Sequence, residues 1–282
     1  MTRNILSKSG ILLFLAVDLM LIVAWLGVQR GMILYGIFLL TAVSPLGEQI
    51  MRLYYGCSPL SRTDQIVKIE PIYHEVLDKA RQLNRHLPPD IRVYISNEDR
   101  SDIYSLGRDT LVTTEAALAR PDAELKAMMA HELGHIVNHD SMWTMMATVG
   151  NVFVTLFLLL IKLIVQAMDL IVHAIRPYGF TARLIVSIFQ ALTMGLRTML
   201  NVVSDIWNKF MQLLVNWSLR EDEFFADLFA YDLGYGYALC RVIEENTGNA
   251  AQGAGLILSP QQDPQLRIRR LQEAGCNYRK TY

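Results

Sequence analysis

Four apolar runs set the terms for this chain, because each must be hidden from water and a run that crosses lipid must be brought back by another. From Ile11 to Val28 the only charge is Asp18, and these 18 residues are enough to cross a bilayer core. Met32 to Leu46 is a second run, short for a crossing unless it borrows Gly47 through Met51. Ser141 to Ile161 carries no formal charge and continues past Lys162 to Met168. Leu184 to Val203 is the fourth, interrupted by Gln190 and Arg197. An apolar fraction of 52% and a mean hydropathy of +0.25 agree with membrane segments. A cleaved signal peptide is rejected for the first run: no small-residue cleavage site follows, and the second run begins just after Gln29-Arg30-Gly31, read as a tight break. Residues 1–50 therefore read as an N-terminal segment whose residues 10–50 form a two-helix membrane hairpin. Residues 141–204 read as a second hydrophobic hairpin, whose helices either span the bilayer or lie on its surface or within the fold. Asp18 is costly in lipid and is expected to face protein or an interface, and Lys162 and Arg197 to snorkel or face a polar interior.

Between and after the hairpins the chain is polar. Pro71 to Leu87 has helical spacing and is closed by Pro88-Pro89; Ile91 to Ile95 and Thr110 to Thr113 read as two short strands around a polar turn at Asn97 to Ser101. Pro121-Asp122 opens a helix with Asp122 and Glu124 in its first turn, where the helix dipole favours acids. Asp205 to Leu219 is amphipathic, Arg220 to Leu233 is a helix with an acidic start, and helices at 237–246 and Arg267 to Glu273 close the chain around a loop from Gly248 to Gly255. The division expected is a polar unit in two parts, 51–140 and 205–282, with the hydrophobic hairpin 141–204 set between them.

The chemistry is written at His131-Glu132-Leu133-Gly134-His135. Two imidazoles four residues apart share one helical face and can both reach one tetrahedral zinc ion. Glu132 stands beside them and can take a proton from water that the metal has acidified from a pKa of about 15.7 to roughly 7. This is the H-E-x-x-H device of metallopeptidases. Two strands before such a helix suit a zincin, in which a strand edge offers main-chain hydrogen bonds to an extended peptide. Zinc needs a third protein ligand. His139 lies a turn further on, but a straight helix carries it about 6 Å along the axis from His135, so it would need a break in the helix. The acidic helix is the better source: Glu223 and Asp227 are four apart, so one can bind metal while the other buttresses a histidine, although plain solvation also explains an acidic face.

The stretch Met128 to Ile136, with Asp140 five residues after His135, resembles the core of HtpX-type membrane zinc metallopeptidases, relatives of the CAAX prenyl proteases. Downstream, Arg220-Glu221-Asp222-Glu223-Phe224-Phe225-Ala226-Asp227 is similar to that family's R-x-x-E-F-x-A-D block. The resemblance extends from about Ile91 to Leu271 and includes both hairpins in order. It implies a mainly α fold with a small β-sheet, a gluzincin-like zincin domain combined with two transmembrane hairpins. It also implies one zinc ion per chain on His131, His135 and Glu223, Asp227 as buttress, Glu132 as general base, and quality-control hydrolysis of membrane or misfolded proteins. Two departures bear on substrate handling. Where the family has Asn-Ala-Phe, this chain has Asp102-Ile103-Tyr104, and where it has His-Pro, six residues before Arg267-Ile268, stands Gln261. Asp102, Tyr104 and Arg267 are the candidates for substrate or oxyanion contacts.

Parity constrains the layout. His131 and Glu223 must meet at one ion across a hydrophobic region of roughly 60 residues, so an even number of crossings separates them. Arg3, Lys8, Arg52, Arg62, Lys209 and Arg220 then flank the catalytic side, and Arg30, Arg176 and Arg183 the other, which places the site in the cytoplasm, at an inner (cytoplasmic) membrane. Cys57, Cys240 and Cys276 form no C-x-x-C pair and read as reduced, packed thiols. A net charge of -1 argues against nucleic acid as a partner. Polypeptides and the bilayer are the expected partners, and the sequence leaves oligomeric state open. The competing readings are a non-catalytic zinc scaffold, a protease with zinc inside the bilayer, which Asp122, Glu124 and Lys126 before the motif disfavour, and a prenyl-peptide protease, disfavoured by only four apolar runs.

Overall fold

The computed structural model describes residues 8–83, 87–175, 180–249 and 263–279. The chain is mainly helical with one small mixed sheet. Helices α1 (Ser9–Leu26) and α2 (Val28–Ala42) form the first hairpin, and α3 (Pro45–Tyr54) follows at a 75° bend. The chain turns at Gly27, with φ of 81°, rather than at Gln29-Arg30-Gly31. Gly31 is instead helical, and its missing side chain lets α2 approach Val23, whose Cα would lie 2.9 Å from a Cβ there. The second run therefore does not extend straight into Gly47 through Met51: Ser44-Pro45 starts a new helix, with proline at its first turn. Glu48 on α3 is buried and accepts from the Arg108 main-chain N–H (2.6 Å) and the Thr110 hydroxyl (3.0 Å).

Four strands replace the two expected. β1 (Ser58–Pro59), β2 (Arg92–Ser96), β3 (Ile103–Leu106) and β4 (Thr110–Thr114) lie in the order β1-β2-β4-β3, with β2 and β4 parallel and the outer pairs antiparallel. β3 is thus an edge strand, Ser105 facing Leu111 across the ladder. Before β2, α4 (Thr63–Leu83) starts two turns earlier than Pro71. Proline sits inside it because the carbonyl it fails to meet belongs to Val67, a residue 68% exposed, where water can serve.

α5 (Asp122–Val137) lies in the main core with α4 and the sheet: Ile69, Val76, Leu111, Leu125, Met129 and Leu133 are all buried there. α5 ends at Asn138, and His139, at φ of 60°, turns the chain into α6 (Asp140–Ile175). α7 runs unbroken from Phe180 to Asp232, where the sequence pattern suggested separate helices at 205–219 and 220–233. No glycine or proline occurs from Arg197 through Asp232, so nothing in the backbone stops it. Gly234, at φ of 88°, does, and α8 (Gly236–Asn249) and α9 (Pro264–Glu273) complete the fold.

Among the described residues, three helices are long and apolar enough to cross a membrane: α1, α6 through Ala174, and Arg183–Ser218 of α7; the bent α2–α3 pair makes a fourth if counted as one span. A second core joins them, where Phe14 meets Trp207 at 5.4 Å between ring centroids and Ala147, Met211 and Val215 are buried. Asp18 is fully buried there, facing protein. Arg197 pairs with Asp169 at 2.9 Å. Cys57 is half-buried, Cys240 and Cys276 are buried, and all three are free thiols. Gly248, expected to open a loop, still lies in α8; Gln261, Arg3, Arg176 and residues 250–255 of that expected loop lie outside the described residues.

Candidate metal centre

His131 and His135 present their Nε2 atoms toward one another from successive turns of α5, 3.2 Å apart. Glu223, on α7, reaches both: Oε2 lies 3.6 Å from His131 Nε2 and Oε1 3.6 Å from His135 Nε2. These three residues form a group whose ligand atoms lie within 4.8 Å of one another. A tetrahedral ion with bonds of about 2.05 Å has edges of about 3.3 Å. The two imidazole nitrogens already lie one such edge apart, and with one ligand atom taken from each residue the three stay within 4.8 Å, so the residues fit a divalent ion.

Small residues make the convergence possible. A Cβ on Gly134 would lie 2.8 Å from the Ala226 Cα, so α5 and α7 touch backbone to backbone between the imidazoles and the carboxylate. Glycine and alanine at these positions are a packing requirement of the site.

Each imidazole is backed by a carboxylate on its other nitrogen. His135 Nδ1 is 2.9 Å from Asp140 Oδ2, and His131 Nδ1 is 3.0 Å from Asp227 Oδ1, although not squarely in line with it. Such partners fix the tautomer and turn Nε2 toward a metal. Burial opposes charge on His135, but the bond to Asp140 and the charges of Glu132 and Glu223 outweigh it, lifting its pKa to about 10. The cluster is thus strongly receptive to positive charge. Arg267 supplies some: its Nε and Nη2 grip Asp227 at 2.8 and 2.6 Å, and Nη1 lies 3.2 Å from Glu223 Oε2. Burial raises the Asp227 carboxyl, yet Arg267 more than compensates and holds it far below the usual carboxylate range.

Glu132 Oε2 accepts from both the main-chain N–H and the hydroxyl of Ser105, each at 2.8 Å, and Ser105 Oγ lies 2.6 Å from Ser141 Oγ. One carboxylate edge is held by the edge strand β3. Asp102, at the start of that strand, feels the charge of Glu132, and burial plus that charge push its carboxyl up to about 6. Tyr104 is not brought to the cluster. Strand alternation turns it to the opposite side, among Met51, Val112 and Met145, with its hydroxyl 3.8 Å from Cys57 Sγ. His139 is exposed and outside the cluster, even though the helix breaks beside it.

Behind the cluster lies a layer that sequence reasoning missed. Lys8, expected as a flanking surface charge, is 1% exposed and pairs with both Asp140 and Asp222. The Asn138 amide bridges the same two carboxylates, at 2.8 Å to Asp140 and 3.0 Å to Asp222. One ammonium thus ties the start of α1 to the residue that holds His135 and to the neighbour of Glu223. A lysine at the mouth of an apolar helix carries no local mark of this role.

Residues 68–248, more than half of the chain, match the model of peptidase family M48. No curated protein sequence matches the chain.

Proposed function

The chain belongs to peptidase family M48, a family of metallopeptidases, and from that premise we propose that it is a zinc endopeptidase of the HtpX type, anchored in a membrane and cutting exposed, extended segments of membrane or misfolded proteins. The observation that carries the reading is the convergence of His131, His135 and Glu223, whose ligand atoms lie within 4.8 Å of one another. Two imidazoles and one carboxylate, with a fourth position left for water, are a zinc hydrolase donor set. When bound, the ion supplies Lewis acidity, acidifying a water and polarising the scissile carbonyl.

The chain's own residues do the rest. Glu132 accepts the proton of the attacking water and delivers it to the leaving amine. Ser105 holds one of its oxygens with two donors, which keeps the carboxylate aimed. Asp140 and Asp227 orient His135 and His131. Arg267, paired to Glu223 and Asp227, fixes both α7 carboxylates and is the nearest cationic candidate to balance charge on the developing oxyanion. β3, as an edge strand, offers main-chain groups to an extended substrate. Two hairpins bring both chain halves to one side, a zincin-like unit split by the second hairpin, and the Lys/Arg distribution supports a cytoplasmic site at an inner membrane.

The test is proteolysis of an unfolded protein by the detergent-purified chain, with and without a chelator, beside Glu132→Gln. The variant is expected to retain one zinc per chain and lose at least about 100-fold in turnover, the low end of general-base contributions. Undiminished hydrolysis by it removes Glu132 as the base. Metal binding without hydrolysis by the wild type favours a scaffold instead.

A further inference from the structure

The second hairpin carries a pattern that the metal centre does not use. On α6, Thr144, Thr148, Asn151 and Thr155 recur at intervals of three and four, and Lys162, Gln166, Asp169 and His173 continue the same row. At 3.6 residues per turn, all eight fall within a sector of roughly 60°. No other polar side chain occurs on α6 after Ser141. α7 has a matching row, Gln190, Arg197, Asn201, Asp205, Asn208 and Gln212, which runs on toward Glu223.

At their far end the rows meet. Asp169 takes Arg197 at 2.9 Å and the Thr193 hydroxyl at 3.2 Å, and His173 lies 3.3 Å from Gln190. A cavity of about 500 Å³ opens there, lined by Gln166, Asp169, His173 and Arg197 among others. Between that end and a second bridge nearer the metal centre, where Asn151 accepts from the Trp207 indole N–H at 2.8 Å, the rows are open. Thr155, Asn201, Asp205 and Asn208 are exposed and make no side-chain hydrogen bond or ion pair with a described residue. Other faces of the two helices are accounted for: α1 packs on Ala147, Met211, Leu214 and Val215, and Leu156, Leu163, Val202 and Ile206 are exposed apolar groups suited to lipid.

From Ser141 to His173 the row rises about 48 Å, more than the roughly 30 Å of a bilayer core. Wherever the rows enter that core, unpartnered amides and a carboxylate are expensive unless they line a watered groove or meet a polar partner. Amides and hydroxyls both donate and accept, as peptide groups do, and an unwound backbone in lipid must have every such group satisfied. The charges are of both signs, which suits main-chain dipoles better than an ionic ligand. Both rows end at the proposed chemistry: Ser141 bonds the serine that holds Glu132, and the α7 row leads to Glu223. We infer that α6 and α7 form an intramembrane groove that receives an extended stretch of a membrane-protein substrate and leads it to the metal centre. The inference rests on the metallopeptidase reading above.

The test replaces groove positions far from the metal with a residue at home in lipid: Thr155→Leu, Asn201→Leu, Asp205→Leu and Asn208→Leu together, in the full chain reconstituted in liposomes. Two probes are compared, an unfolded soluble polypeptide and a single-pass reporter with one apolar helix of about 20 residues and a disordered tail. KM for the reporter should rise at least tenfold, with kcat and soluble-substrate turnover unchanged. A photo-crosslinker at Asn208, in a Glu132→Gln background, should capture the reporter. Unchanged KM overturns the groove, as does crosslinking only to lipid or only to a second copy of the chain, which would make the rows a subunit seam. If the wild type cuts neither probe, the metallopeptidase reading fails instead.

Discussion

Replacing Lys8 with methionine removes the single ammonium from a buried set containing two carboxylates. Asp140 and Asp222 are 2% and 3% exposed, and without Lys8 the Asn138 amide and the His135 ring are what remain among the described residues to hold them. Breaking a buried ion pair by deleting one partner costs about 3–5 kcal/mol, against a whole-domain stability of about 5–15 kcal/mol. Lys8→Met should therefore lose about a fifth or more of the stability, measured by denaturant unfolding in detergent. The loss should be charge-specific: in Lys8→Met/Asp222→Asn the surplus carboxylate is gone, and a double-mutant cycle should return a coupling of about 2 kcal/mol or more. Asp140, freed from Lys8, also holds His135 less firmly, so zinc affinity by chelator competition should fall about 10- to 100-fold, the usual cost of losing a ligand's outer support. A Lys8→Met protein with wild-type unfolding and wild-type zinc affinity would refute the network.

Three further outcomes follow from the geometry. Gly134→Ala places a methyl 2.8 Å from the Ala226 backbone and should push α5 off α7, costing about 1–3 kcal/mol and separating Glu223 from the imidazoles; zinc titration and thermal unfolding report both. Ser105→Ala removes one of two donors to Glu132 and leaves the main-chain one, so kcat should drop roughly tenfold, the worth of about 1.4 kcal/mol, with metal content intact; an unchanged kcat denies Ser105 a part in aiming the base. Asp102, raised from 3.8 to about 6, binds its proton more tightly folded than unfolded, so the stability it contributes is complete below about pH 4 and is lost as pH rises through 6. Asp102→Asn should remove that slope and leave the variant relatively more stable at pH 8 than at pH 4; parallel pH–stability curves would contradict it.

What could be read from the residues was what is local. Two histidines and a glutamate on one turn, and two acids four apart on another helix, announce their shared faces through spacing alone. The apolar runs likewise show as helices because length and composition suffice. The rest depends on contacts made across long separations. Lys8 meets Asp140 and Asp222 from 132 and 214 residues away, and nothing beside it distinguishes it from a membrane-flanking charge. β3 is four residues without a clean polar alternation, so neither the strand nor the serine it aims at Glu132 is visible in the pattern, and nothing in it marks Tyr104 as facing away from the cluster. The two separate helices expected between 205 and 233 were a reading of changing polarity, whereas helix continuity is decided by the backbone.

α7 is a single helix of 53 residues, and Glu223 stands just past the stretch from Arg183 to Ser218 that is apolar enough to lie in lipid. Long helices answer a change in bilayer thickness by leaning. Beyond that stretch the helix is seated on α5 by the Gly134–Ala226 contact, with Glu223 and Asp227 buried. A lean inside the lipid would therefore carry the carboxylate and the two imidazoles as one body, which shields the donor set from bilayer thickness for as long as glycine stands at 134.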